Sequence, residues 1–141
     1  MITVVAGGKK TKGWLLEGVS EYQKRLRKPF DVRWIFTDEV EKETVKLRKN
    51  HEFLIILDER GKNLSSPEFS SLVDRKMTEG QQIIIVIGGP YGFTDDFRAQ
   101  ADLVWSFSRL VFPHELMRLY LIEQIYRAQE IYKGSNYHHD G

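Results

Sequence analysis

The stretch IIIVIGGPYGF, residues 83–93, decides the fold. Ile83–Ile87 is an unbroken β-branched run with no polar alternation, which predicts a strand buried on both faces. Gly88-Gly89-Pro90-Tyr91-Gly92 ends it in a loop with little side chain. A second apolar run, residues 103–107, leads through Ser108 and Arg109 into the apolar loop Leu110, Val111, Phe112, Pro113 and then a long helical pattern. Two buried strands that both empty into unusual loops predict a ligand site at the carboxyl ends of a parallel sheet.

Working outward, residues 2–6 predict a first strand ending at Gly7-Gly8. Residues 12–28 predict a helix capped by Thr11, with Trp14, Leu15, Val19, Tyr22 and Leu26 at helical spacing and Pro29 as its stop. Residues 31–37 and 52–57 read as strands, the latter followed by a turn over residues 58–62. The charged residues 38–50 read as a short exposed helix or a mobile connection. Ser65 or Ser66 caps a helix to about Thr78, and a short helix covers residues 94–101. The alternation predicts an α/β fold, one domain over residues 1–141, with a mostly parallel sheet of about five strands. The last helix, residues 113–133, has no single wet face. Such a helix is buried on more than one side, and a second copy of the chain is the natural partner in so small a domain.

A chain of 141 residues with 41% hydrophobic content is long enough for one core. No run is long enough to span a membrane and no signal peptide is evident, so a membrane role is not expected. The absence of cysteine excludes disulfides and thiolate chemistry and fits a cytoplasmic location. The net charge of +1 hides an asymmetry: residues 1–50 hold twelve Lys or Arg against seven Asp or Glu, and residues 51–141 hold nine against thirteen. A basic first third favours a polyanionic partner, although a solvated helix face explains the charge alone.

The glycine loop is neither a dinucleotide fingerprint nor a P-loop, because the glycine spacing differs and no Lys-Ser/Thr pair follows. It still lets a flat ligand lie against backbone groups. Phe107 to Phe112 adds apolar walls, a combination suited to an adenine-like ring. No nucleophile elbow is present. His138 and His139 are adjacent rather than spaced for a metal, so no metal is expected. His114, at a helix start, is open to a structural, basic or ligand-contacting role. Arg118 and Arg127 lie on an otherwise apolar helix and need partners, a carboxylate across a dimer or a nucleic-acid phosphate.

Taken in order, the helix bearing Glu21-Tyr22, the strand ending Leu57-Asp58, Ile87 to Gly92, Ser106-Phe107-Ser108, Phe112-Pro113-His114, the run from Arg118 to Ala128 and the closing Tyr137-His138 form a pattern covering nearly the whole chain. It resembles the RlmH family of ribosomal large-subunit pseudouridine N3-methyltransferases, small members of the SPOUT class. The resemblance implies a C-terminal trefoil knot, a homodimer and S-adenosyl-L-methionine as methyl donor. By position it places the cofactor on Leu57, Gly88, Gly89, Phe107, Ser108, Arg109, Leu110, Val111 and Phe112. It implies as target a pseudouridine of helix 69 in 23S rRNA within the ribosome. Two positions depart from the family pattern: Val111 stands where relatives often have Thr, and His139 where they usually have Lys or Arg.

The chemistry so implied is direct transfer from an activated sulfonium, dominated by positioning. His138 is the first candidate for a base or hydrogen-bonding group and His114 the second, with Tyr137 and Arg118 orienting the base or its phosphate. The alternative is a non-catalytic ribosome-binding protein of the same fold.

Overall fold

The computed structural model describes residues 1–139. The chain runs β1 (Ile2–Gly7), α1 (Gly13–Gln23), β2 (Val32–Thr37), α2 (Val40–Leu47), β3 (Phe53–Lys62), α3 (Ser66–Thr78), β4 (Ile83–Ile87), α4 (Asp95–Gln100), β5 (Leu103–Trp105) and α5 (His114–Lys133). Among the described residues, the strands form one sheet in the order β2-β1-β4-β3-β5, with every pairing parallel.

The pleat divides the buried strands into two sets. Ile2, Val4, Ala6, Ile55, Leu57, Ile83, Ile85 and Ile87 share a cluster with Val19, Phe69, Leu72, Leu121 and Ile125 of α1, α3 and α5. Val5, Leu54, Ile56, Ile84 and Val86 face Val40 of α2 and Phe97 of α4. Alternate residues of one strand thus pack against helices on opposite sides, which is why Ile83–Ile87 carries no polar position. Each fully buried isoleucine contributes about 2–3 kcal/mol of transfer free energy, so the sheet centre is the main store of stability.

Most predicted elements are found, with shifted ends. Residues 38–50 contain a true helix, α2, with acidic residues in its first turn and Lys46 in its last. Helix α3 begins with a reciprocal capping box between Ser65 and Glu68. Helix α1 is shorter than predicted: Thr11 is not its N-cap, and it ends at Gln23 rather than near Lys28. There the Gln23 side chain donates to Val32 O (3.0 Å) and accepts from Trp34 Nε1 (2.6 Å), while Leu26 and Phe30 turn into the core. Tertiary contacts with β2 outweigh continued helix at that end. Strand β5 is likewise shorter than predicted, ending at Trp105.

Strand β3 runs on to Lys62, through the residues expected to form a turn. Leu57 and Lys62 both pair with Trp105, so the intervening residues bulge out of the ladder. A Cβ on Gly61 would lie 2.5 Å from Val104 O and 2.8 Å from Trp105 N, so only glycine permits this approach of two backbones. Gly61→Ala is therefore expected to lower stability by roughly 2–3 kcal/mol, an overpacking cost that backbone atoms cannot relieve by rotating. Urea unfolding measures it, and a change below about 0.5 kcal/mol would show that the β3–β5 contact is loose.

Candidate active site

The carboxyl ends of β3, β4 and β5 open into a pocket of about 640 Å³. Its walls are the β3 bulge with Leu57 and Asp58, the loop from Ile87 to Phe93, and the link from β5 to α5 with Trp105, Phe107, Ser108, Leu110, Val111, Phe112 and His114. Of the cofactor residues read from sequence, Leu57, Gly88, Gly89, Phe107, Ser108, Leu110, Val111 and Phe112 line this space. Arg109 is exposed and is not among the lining residues. Asp58, Phe93, Trp105 and Met117 line it as well. Trp105 and Met117 carried no sequence signal beyond apolar periodicity.

The glycine loop is held from below. A Cβ on Gly7 would lie 2.7 Å from Gly89 N, so the end of β1 touches the loop backbone directly. A Cβ on Gly88 would lie 2.9 Å from Phe93 Cζ, because the Phe93 ring folds back against it. Gly92 takes φ +70° and its N–H donates to Gly89 O (3.2 Å), closing the turn that the sequence predicts there. Arg98 of α4 donates to Phe93 O (2.8 Å) and pairs with Asp58 (3.4 Å) and Asp95. Glu41 of α2 accepts from Thr94 N (2.9 Å) and Thr94 Oγ1 (2.8 Å). The loop is therefore a preorganised rim tied to three elements.

The opposite wall is built from short hydroxyl hooks. Ser106 Oγ donates to Ser108 O (2.8 Å), and Ser108 Oγ accepts from Leu110 N (3.1 Å). Asn63 Nδ2 donates to Ser106 O (2.8 Å), joining this wall to the β3 bulge.

Arg118 lies beneath the site rather than in it. It is 1% exposed. Its guanidinium donates to Gly7 O (2.9 Å), Lys9 O (2.8 Å) and Thr11 Oγ1 (3.0 Å), and lies 4.9 Å from the Phe36 ring centroid. Its partners are thus backbone carbonyls, a hydroxyl and an aromatic face, not the carboxylate or phosphate considered from sequence. Burial pulls its pKa below the ordinary value, and nearby Glu115 opposes this.

Tyr137 and His138 belong to a separate cluster. The tail folds back on α5, where Tyr137 packs edge-on against Tyr126 (4.9 Å) and lies over the Arg127 guanidinium (4.9 Å). Arg127 Nε donates to Glu123 Oε1 (2.7 Å), and Arg127 Nη1 lies 3.1 Å from His138 Nδ1. The carboxylate partner of Arg127 is therefore one turn away on its own helix. Arg127 is ten residues beyond Met117, the last residue of α5 that lines the pocket, or about 15 Å along the axis. Among the described residues, no group of three or more His, Asp or Glu is placed to hold a metal ion.

The family model described as a predicted SPOUT methyltransferase matches residues 1–138. The chain belongs to the SPOUT methyltransferase family. The chain is 41% identical to the ribosomal RNA large subunit methyltransferase H of Desulfitobacterium hafniense (strain DSM 10664 / DCB-2), covering 97% of this chain and 98% of that one. It is 37% identical to the protein of the same name from Caldicellulosiruptor saccharolyticus, covering 98% and 99%. A solved probable methylase family protein from Haemophilus influenzae Rd KW20 superposes with a TM-score of 0.54 at 10% identity, covering 94% of this chain and 66% of that one. This last likeness is one of fold.

Within this SPOUT chain the tail cluster leaves a measurable electrostatic mark. The Tyr137 phenol is pushed up from 10.0 to about 12, first by burial, then by the Glu123 charge and by contact with Tyr22, with Arg127 opposing. Ionisation creates the charged form, so the unfolded chain loses this proton first. The contribution of Tyr137 to stability is intact below pH 10 and is lost as pH rises toward about 12. Urea unfolding across that range is expected to show a steeper fall in the native protein than in Tyr137→Phe, and parallel curves would contradict it.

Proposed function

We propose that this chain transfers the methyl group of S-adenosyl-L-methionine to 23S rRNA, at N3 of a pseudouridine in helix 69 of the assembled ribosome. The observation that carries the reading is the pocket at the strand ends, whose walls include eight of the nine positions that the family pattern gives to the cofactor. Family membership and near-full-length similarity to proteins named ribosomal RNA large subunit methyltransferase H support it.

The pocket suits that donor. The ends of β3 and β4 and the hydroxyl-hooked wall offer apolar side chains and main-chain groups to a flat heterocycle. The sulfonium is already activated, so the work left to the protein is placement of donor and acceptor in line. His114 lines the pocket, and in this reading it would contact the cofactor or the target base. Arg118 acts from below by fixing the loop after β1.

The active unit in this reading is a homodimer. Trp14, Leu110, Val111 and Tyr120 are large hydrophobics left between 46% and 79% exposed. A second copy would cover this apolar surface. It would also bring a tail with Tyr137 and His138 to a pocket that the same chain's α5 holds about 15 Å from Arg127. The trefoil knot that the family pattern implies would form where the link from β5 at the sheet edge to α5 crosses the ends of β3 and β4.

Labelled S-adenosyl-L-methionine incubated with ribosomes that lack the modification tests the reading. Mass spectrometry of nuclease digests is expected to show one methyl on the helix 69 pseudouridine, reduced at least 100-fold in Gly88→Val, whose side chain collides with Phe93 and fills the pocket rim. Binding to ribosomes without any methyl transfer would favour the non-catalytic alternative. Sedimentation of the purified protein as a monomer at micromolar concentration would overturn the dimer.

A further inference from the structure

Most cations of the basic first third fall into three groups: Lys9, Lys10 and Lys12; Lys24, Arg25, Arg27 and Lys28; and Lys46, Arg48 and Lys49. The fold sends them to opposite ends of the sheet. The second group leads into Asp31, whose carbonyl accepts from Ile2 N (2.8 Å) at the start of β1. The third meets the starts of β3 and β5, where Arg48 donates to Glu52 O (2.9 Å) and to Asp102 (2.7 Å). Both lie at the amino ends of the strands, away from the pocket. The first group alone follows a carboxyl end, that of β1.

The groups also differ in what their side chains do. Lys24 and Arg25 pair with Glu21 (2.9 and 3.2 Å), and Arg27 donates to Lys24 O (3.0 Å) and Leu26 O (2.9 Å). Lys9, Lys10 and Lys12 are exposed, and among the described residues their ammonium groups have no hydrogen bond or ion pair. Yet the backbone that carries them is fixed. Arg118 donates to Lys9 O (2.8 Å) and Thr11 Oγ1 (3.0 Å), and Lys12 is the extended N-cap of α1, whose first turn holds no acid. A Cβ on Gly8 would lie 3.9 Å from Nε2 of His114, which lines the pocket. Across the mouth, Arg98 engages Asp58 and Asp95, and Thr94 engages Glu41. Three ammonium groups on flexible stems thus stand on a rigid loop beside the pocket, with nothing in their own chain to neutralise them.

We propose that Lys9, Lys10 and Lys12 are the phosphate-binding element of this site and dock the RNA strand across the pocket mouth on the His114 side. This rests on the methyltransferase reading above. Phosphate contacts fix the register and orientation of a nucleic acid without reading its bases, which is the task left when the donor is already activated. The other two basic groups take no part in docking. Their charge is turned inward, to Glu21, Asp102 and main-chain carbonyls, or stands at the far end of the sheet. Each phosphate neutralised releases condensed counterions, so the contacts carry a salt dependence of their own, a slope of ~0.7–0.9 in log K per phosphate.

Binding of the labelled protein to ribosomes that lack the modification, measured across a range of KCl at fixed magnesium, decides it. Lys9→Gln, Lys10→Gln and Lys12→Gln combined are expected to lower the salt slope by about 2 and to weaken binding at least about tenfold at ~0.1 M salt. The same variant is expected to bind S-adenosylhomocysteine as the native protein does and to raise KM for ribosomes far more than it lowers kcat. Lys28→Gln, Lys46→Gln and Lys49→Gln combined remove the same charge at the other end of the sheet, and are expected to leave slope and affinity unchanged. A native slope in the first variant, or an equal fall in both, overturns the proposal, the latter because it shows general attraction only. A first variant that loses S-adenosylhomocysteine, or changes its oligomeric state, overturns it too, by assigning the lysines to the pocket or to a contact between copies. If the native protein binds ribosomes but transfers no methyl group, the methyltransferase reading fails, and the two slopes still decide where the RNA docks.

Discussion

One buried guanidinium determines where the site can form. Strand β5 is at one edge of the sheet and β1 lies three strands away, so the link between β5 and α5 must cross the ends of β3 and β4. Arg118, in the second turn of α5, ties that helix to Gly7, Lys9 and Thr11 after β1. A charge in that position has no water to return to, and its cost is offset only while those acceptors stay where they are. Losing one of them leaves the charge under-solvated, so the helix start, the crossing link and the loop after β1 hold or fail together. The pocket is the space left under that link.

One rim of the pocket, the glycine loop, is made largely of main chain. Gly7 and Gly61 let main chains approach to distances that a Cβ would forbid, and Gly88 leaves room for the Phe93 ring. Side chains act mostly as braces: Phe93 against Gly88, Arg98 between Phe93 O and Asp58, Glu41 on Thr94, and the serine hooks at 106 and 108. Such a rim is rigid before ligand arrives, which reduces the ordering cost of binding. The tail cluster follows a different logic, with charge, aromatic faces and an imidazole in one network about 15 Å further along α5. The pocket and the tail cluster are thus separated in space, and the proposed dimer would bring a second copy's tail to the pocket.

The sheet was legible because Ile83–Ile87 and its neighbours are apolar on both faces, and the two loops because glycine and proline interrupt them. The end of α1 was not, since Gln23, Leu26 and Phe30 answer to contacts with β2 and the core that no local pattern encodes. The β3 bulge looked like a turn because Asp58 and Gly61 are turn formers, and only the approach of β5 explains why the strand continues. Arg118 was visible as an arginine that needs partners, but two carbonyls and a hydroxyl 107 to 111 residues away in sequence leave no mark on its surroundings. The Glu123 and Arg127 pairing was legible in principle as an i,i+4 pair, and its contact with His138 required the tail to be seen folded back on α5.

The central claim is that the space beneath the crossing link holds the methyl donor. Methyl-labelled protein titrated with S-adenosylhomocysteine tests it most directly, because Leu57, Ile87, Leu110, Val111 and Met117 place probes on every wall. The account predicts saturable shifts confined to those residues, with Val73 and Leu72 of α3 unchanged. Shifts centred elsewhere, or none in a folded protein, would contradict it.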